Sequence, residues 1–279
     1  MTPDQIRLTT IEALFSDPSV ANLIVLKGGN ALNLIHGIGG RSSLDIDLSL
    51  PSDFEDLAEI GTRIQTALEH TFARKGFSVF DSRIAEKPSR PLPNQRSEWG
   101  GYEVVFKVIH SSSAGAGIDT RRREAAVVGP LQERVIKVQF SKYEFCGETT
   151  SVEVGDSQVT VYTPALIAVE KLRAICQQMR EYLHNRTPSP RARDFYDIHS
   201  ISAGSSVDLT SPESVELLRR CFRAKEVDGA LISKIDRYRE FHRQDWPSVE
   251  DAVATGLLDF DFYFDYVLTI ARQLESLVE

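Results

Sequence analysis

The hydrophobic pattern divides the chain into two stretches of different character. Residues 22–27 form a short apolar run closed by Gly28 and Gly29, which predicts a buried strand ending in a sharp turn. Residues 44–50 alternate. Leu44, Ile46 and Leu48 are predicted to bury one face while Asp45 and Asp47 leave from the other, because side chains two apart on a strand share a face. Ile6, Ile11, Leu14 and Phe15 recur at helical spacing over residues 3–16, and Pro51-Ser52-Asp53 opens a long amphipathic helix that Gly76 stops after about Arg74. Strands are predicted at 77–84, 101–110 and 133–145, followed by a hairpin of 148–154 and 158–162 turned by Gly155-Asp156. The proline-rich residues 87–94 and the small residues 111–117 are predicted loops. From Pro164, with Thr163 as a suitable N-cap, the pattern is helical: 165–184, 194–201, 212–225, 232–242 and 260–278. This predicts a mixed α/β region over 1–160 and a helical one over 161–279. The aromatic residues between Phe260 and Tyr266 open an amphipathic helix, and core packing is the expectation for them.

Composition narrows the class. At 279 residues, 42% hydrophobic and 26% charged, the chain has the make-up of a globular protein with a sizeable core. The N-terminus lacks the basic-then-apolar order of a signal peptide, and no apolar run approaches a membrane span. Cys146, Cys176 and Cys221 are odd in number and far apart, which predicts reduced thiols; a cytoplasmic protein without membrane contact is the expectation. A net charge of −8 argues against a protein that coats nucleic acid and leaves room only for a local basic patch. Candidates are Arg121–Arg123, Arg191 with Arg193, and the 219–225 stretch, each of which reads first as a solvated face. No His-Glu-x-x-His, Gly-x-Ser-x-Gly or Walker lysine loop occurs.

The chemistry concentrates near residue 28. Gly28 and Gly29 let the backbone turn and approach a ligand closely, and Asn30 is a suitable N-cap for a helix over about 31–38. Such a strand–turn–helix suits a phosphate. Asp45 and Asp47 on one face repel each other unless a cation intervenes, and hard oxygen ligands favour Mg²⁺ or Mn²⁺. A phosphate cradle beside a dicarboxylate metal site is the minimum equipment for phosphoryl or nucleotidyl transfer. Further along, Lys171 offers a point charge for a triphosphate, and Asp194 could orient it or accept a proton from an attacking hydroxyl. Seen alone, a structural lysine–aspartate bridge tying helix to helix is the better reading of this pair.

Gly28-Gly29-Asn-Ala-Leu32, then Arg41-Ser-Ser43, then Asp45-Ile-Asp47-Leu resembles the first motif of the nucleotidyltransferase superfamily, in the version of the AbiEii/AbiGii-type toxins of type IV toxin–antitoxin and abortive-infection systems. Glu170-Lys171-Leu-Arg173 and Arg193-Asp194-Phe-Tyr-Asp197 resemble that family's downstream signature. The resemblance implies an α/β nucleotidyltransferase fold with a helical C-terminal domain completing the active site. It implies Mg²⁺-dependent transfer of a nucleoside monophosphate from an NTP to an acceptor hydroxyl on RNA, the tRNA 3′ end, and a neighbouring antitoxin as partner. Asp45 and Asp47 would hold the metal, and Lys171 and Asp194 would share in catalysis. Lys27, Gly28, Gly29, Asn30, Arg41, Ser43, Lys137 and Lys171 would contact the nucleotide. The family's third carboxylate falls on Gln139, a neutral amide, so either the metal site makes do with two acids or Glu133, Glu144 or Glu153 stands in. Two other classes stay open: a non-catalytic nucleotide-binding protein of this fold, and a transferase acting on a small molecule or a protein.

Overall fold

The structure, a computed structural model, describes residues 1–40, 43–89, 100–129, 131–184, 187–253 and 255–278. They form two compact units, one of residues 1–30 with 43–161 and one of 31–42 with 162–279.

The first unit opens with α1 (Pro3–Leu14), started by a capping box in which Thr2 and Gln5 exchange side-chain-to-backbone hydrogen bonds. A short α2 (Pro18–Ala21), β1 (Val25–Lys27), the helical turn α3 (Gly28–Asn30) and β2 (Ile46–Ser49) follow. Then come α4 (Leu57–Arg74), β3 (Phe77–Lys87), β4 (Gly101–His110), α5 (Ile118–Glu124), β5 (Ile136–Ser141), β6 (Thr149–Val154) and β7 (Ser157–Tyr162). Among the described residues the strands make one mixed sheet in the order β3-β4-β5-β2-β1-β7-β6. β2 runs antiparallel to β1 and parallel to β5, and β4 is antiparallel to both its neighbours.

Register explains the two faces. Tyr102, Phe140, Leu48, Leu26 and Val161 lie opposite one another on five successive strands, all of them buried. Helix α4 contributes to this core, with Phe72 set edge-on to Phe106 at 5.9 Å. The row one residue over, Glu103, Gln139, Asp47 and Lys27, leaves from the other face. Leu44 departs from expectation: it precedes the ladder, which starts at Ile46, and is 40% exposed. The long helix starts at Leu57 rather than after Pro51, because Asp56 takes the N–H groups of Ala58 and Glu59 as its cap. The 133–145 strand shortens to β5, and the three arginines fall in α5. Of the predicted loop at 87–94, residues 90–94 lie outside the described residues.

The second unit holds a π-helical turn (Ala31–Ile35) and then α6 (Pro164–Cys176), capped by Thr163, α7 (Ala192–Gly204) and α8 (Pro212–Ala224). A 3₁₀ segment (Gly229–Tyr238) replaces most of the helix predicted over 232–242 and leads into α9 (Arg239–Arg243), α10 (Trp246–Glu250) and α11 (Phe260–Val278). Of the aromatic stretch, Phe260, Tyr263 and Phe264 are core, with Phe264 stacked on Phe195 at 5.0 Å and Phe260 meeting Phe195 and Trp246 edge-on, whereas Phe262 is exposed and Tyr266 half-buried. No described helix is long and apolar enough to cross a membrane.

Candidate active site

In the first unit, β1 delivers Lys27 to the end of its strand and the chain turns at Gly28, which has φ +72°. A Cβ at Gly28 would lie 2.4 Å from Asp47 Oδ2, so any other residue here would be strained in conformation and would push the Asp47 carboxylate aside. Asn30 departs from the predicted capping role. The helical turn starts at Gly28, and the Asn30 amide instead donates to the Asp45 carbonyl oxygen at 2.7 Å. Ser43 Oγ donates to the same oxygen at 3.3 Å. Both side chains fix the backbone that presents Asp45.

Asp45 and Asp47 are half-buried. Gln139 Nε2 donates to Asp45 Oδ2 at 3.0 Å, and Gln139 is also the β5 partner of Asp47. The strand alignment that set residue 139 beside the aspartates therefore agrees with the register. The neutral amide also separates two acids, since the next residue in that row is Glu103 of β4. Glu103 was not foreseen from the sequence. Its carboxylate meets Lys87 Nζ at 3.0 Å.

Of the three acids considered as stand-ins, Glu133 bonds the Leu131 N–H and Glu153 is exposed on β6, an edge strand. Glu144 does meet the site: it is buried, with its carboxylate 3.6 Å from the Lys27 ammonium. Lys137 is exposed on β5 just before Val138, the partner of Ile46, and so flanks Asp45. Arg41 lies outside the described residues. Among the described residues no three His, Cys, Asp or Glu side chains gather as a metal cage.

In the second unit, Lys171 of α6 is buried, with Nζ 2.9 Å from Asp194 Oδ1 and 2.6 Å from Asp197 Oδ2, both on α7. Asp194 Oδ2 also accepts from Arg191 Nε at 2.6 Å. Burial by itself would raise the Asp194 pKa. The charges of Arg191 and Lys171, with their hydrogen bonds, overturn that and hold the carboxyl far below the ordinary range. So ionised a group is a poor proton acceptor near neutrality. The geometry matches a bridge that orients Lys171 and ties α6 to α7. Behind it, His242 is fully buried and its Nδ1 accepts from the Arg191 N–H at 3.1 Å, which makes the ring neutral. Burial, opposed in part by Asp194, pushes its pKa down to about 4.

The chain is similar in fold to the crystal structure of a candidate nucleotidyltransferase from H. pylori, with a TM-score of 0.50 at 17% identity, covering 99% of this chain and 94% of that one. An antigenic nucleotidyltransferase-like protein from Paracoccidioides brasiliensis matches at a TM-score of 0.39 and 14% identity, over 89% of this chain and 94% of that one, too distant to support an argument. No curated protein matches. Residues 10–266, which take in the glycine turn, both aspartates and the Lys171 bridge, match the family described as nucleotidyl transferase AbiEii toxin of type IV toxin–antitoxin systems, and the chain belongs to that family.

Proposed function

We propose that the protein transfers a nucleoside monophosphate from an NTP to a hydroxyl of an RNA acceptor, the tRNA 3′ end by family resemblance, as the toxin of a pair restrained by a cognate antitoxin in the cytoplasm. The observation that carries this reading is the packing of the bare Gly28 turn against Asp47, with the half-buried Asp45 beside it and bonded to Gln139. Asp45 and Asp47 fit a Mg²⁺ or Mn²⁺ ion, which characteristically takes one or two carboxylates and completes its shell with water and substrate phosphate. Such an ion would neutralise charge on the triphosphate and its leaving pyrophosphate.

The chain's own residues do the rest. Asn30 and Ser43 hold the Asp45 backbone in place. Gly28 and Gly29 leave the turn free of side chains where a phosphate would approach, and Lys27, Lys137 and Arg41 offset phosphate charge. Residues 1–160 are the catalytic domain in this reading. For the helical domain, 161–279, the family resemblance implies Lys171 as a cation for the triphosphate, and the depressed Asp194 holds that lysine in position instead of taking a proton.

The test is incubation of purified protein with each α-phosphate-labelled NTP, Mg²⁺ and total RNA. Label appearing in RNA, and lost in Asp47→Ala, is the expected result. Label in protein or a small molecule, or none, would reject the RNA acceptor.

A further inference from the structure

The same face of the first unit's sheet carries a second feature, which meets the aspartate site only at Lys137. Beyond Glu103 the face becomes basic. A cavity of about 380 Å³ opens between β3, β4 and α5, with Asp81, Arg83, Lys107 and Arg122 on its walls and Val105 and Val135 among its apolar lining. The pairing of β3 with β4 shifts between Phe80 and Arg83, and Asp81 within the shift takes a left-handed φ of +51°. Arg122 holds the displaced Asp81 carboxylate through Nε at 2.7 Å and Nη2 at 3.1 Å, with Lys107 Nζ at 3.2 Å. The Arg121 guanidinium, 4.4 Å from the Phe80 ring centre, braces the same corner.

Asp81 offsets one of three cations, so the cavity keeps a positive balance in a chain whose net charge is −8. Arg83 is exposed and has no ion pair among the described residues. It is the partner of Val105, which in turn is the partner of Lys137, also exposed and without an ion pair among the described residues. Arg83, Val105 and Lys137 thus make a row across three strands that ends beside Asp45. At about 4.8 Å per strand the whole row is short enough for a single extended backbone to follow.

We infer that this row and its cavity bind the sugar–phosphate backbone of a single-stranded RNA end and lead its terminal hydroxyl to Asp45 and Asp47. Cations along such a row suit phosphodiesters, and an apolar lining suits one unstacked base. The inference rests on the proposed nucleotidyl transfer to RNA and names the surface that would choose the acceptor.

The test uses the full chain with Arg83→Ala and Lys107→Ala combined, which leaves the Asp81–Arg122 pair in place. A short single-stranded RNA and total tRNA are the probes, with Kd measured over a salt series and labelled NTP binding measured in parallel. Each lost phosphate contact on a single strand removes about 0.7 from the slope of log K against log salt, so the slope should fall by about 1.4. Affinity at low salt should drop roughly tenfold or more, with NTP binding and the melting temperature unchanged. Arg83→Lys should keep the slope, separating charge from packing. RNA affinity and slope unchanged in the double variant would overturn the inference while leaving RNA labelling by the parent intact. Loss of NTP binding with RNA binding retained would make the cavity a nucleotide pocket and equally overturn it. A parental protein that binds no RNA would overturn both this inference and the RNA acceptor.

Discussion

Asp45 and Asp47 in the first unit and Asp194 and Asp197 in the second are pairs of the same residue a few positions apart, and the structure puts them to different use. The first pair is half-buried on a sheet face, and Asp45 accepts from the neutral amide of Gln139. The second is sealed between helices, with one ammonium between the two carboxylates and a guanidinium on Asp194. A carboxylate that reaches solvent can exchange its partners for a cation or a substrate. One that is buried and charge-matched cannot do so without paying desolvation, and so it braces the fold. The difference lies in burial rather than in residue type.

The comparison is open to direct attack. Asp47→Ala should take nucleotide transfer below detection and leave the urea midpoint near the parental value. A variant that transfers at the parental rate would remove the first pair from the chemistry. Lys171→Met, close in volume, leaves Asp194 and Asp197 buried without their shared cation and should cost about 3–5 kcal/mol in urea unfolding. Parental stability combined with weakened NTP use would show that Lys171 serves substrate more than fold.

Acid should separate the regions next. His242 keeps a pKa of about 4 when folded against an ordinary 6.5, so the unfolded chain takes up the proton first as pH falls. Its contribution is therefore complete above about pH 6.5 and is lost towards pH 4, amounting to about 3 kcal/mol. Asp194 works in the same direction further down: its depressed pKa stabilises the fold above the ordinary carboxylate value, and that stability goes as pH falls through the folded one. Stability curves from pH 7 to 4 check the His242 part, and His242→Gln should flatten them; an unchanged slope would place the acid sensitivity elsewhere.

The smallest effect is expected at Gln139→Glu. Three acids would then sit side by side as Glu103, residue 139 and Asp47, and the hydrogen bond to Asp45 would be lost. The variant should melt slightly below the parent without divalent ion and gain more than the parent on adding Mg²⁺. An equal Mg²⁺ shift would mean that residue 139 takes no part in holding the ion.

Much of this was legible in the chain itself. The alternation around Asp45-Ile46-Asp47 and the glycine pair before it define a shared face and a bare turn from local geometry alone, and Thr163 before Pro164 marks a helix start in the same way. Local rules carry such features because strand period, glycine φ and capping depend on a few consecutive residues. Leu44 and Asn30 show where local rules end: each fits its predicted role by type, but the ladder starts two residues later and the helical turn two residues earlier. Other neighbours in space were not readable. That Glu103 follows Gln139 in the row beside Asp47, that Arg83 lines up with Lys137, and that Asp197 shares Lys171 with Asp194 all depend on which strands pair and which helices pack. Period fixes the face of a side chain, but pairing order and burial are settled only by the whole chain competing for one core. It is burial that decides whether a charged side chain braces the fold or meets a ligand.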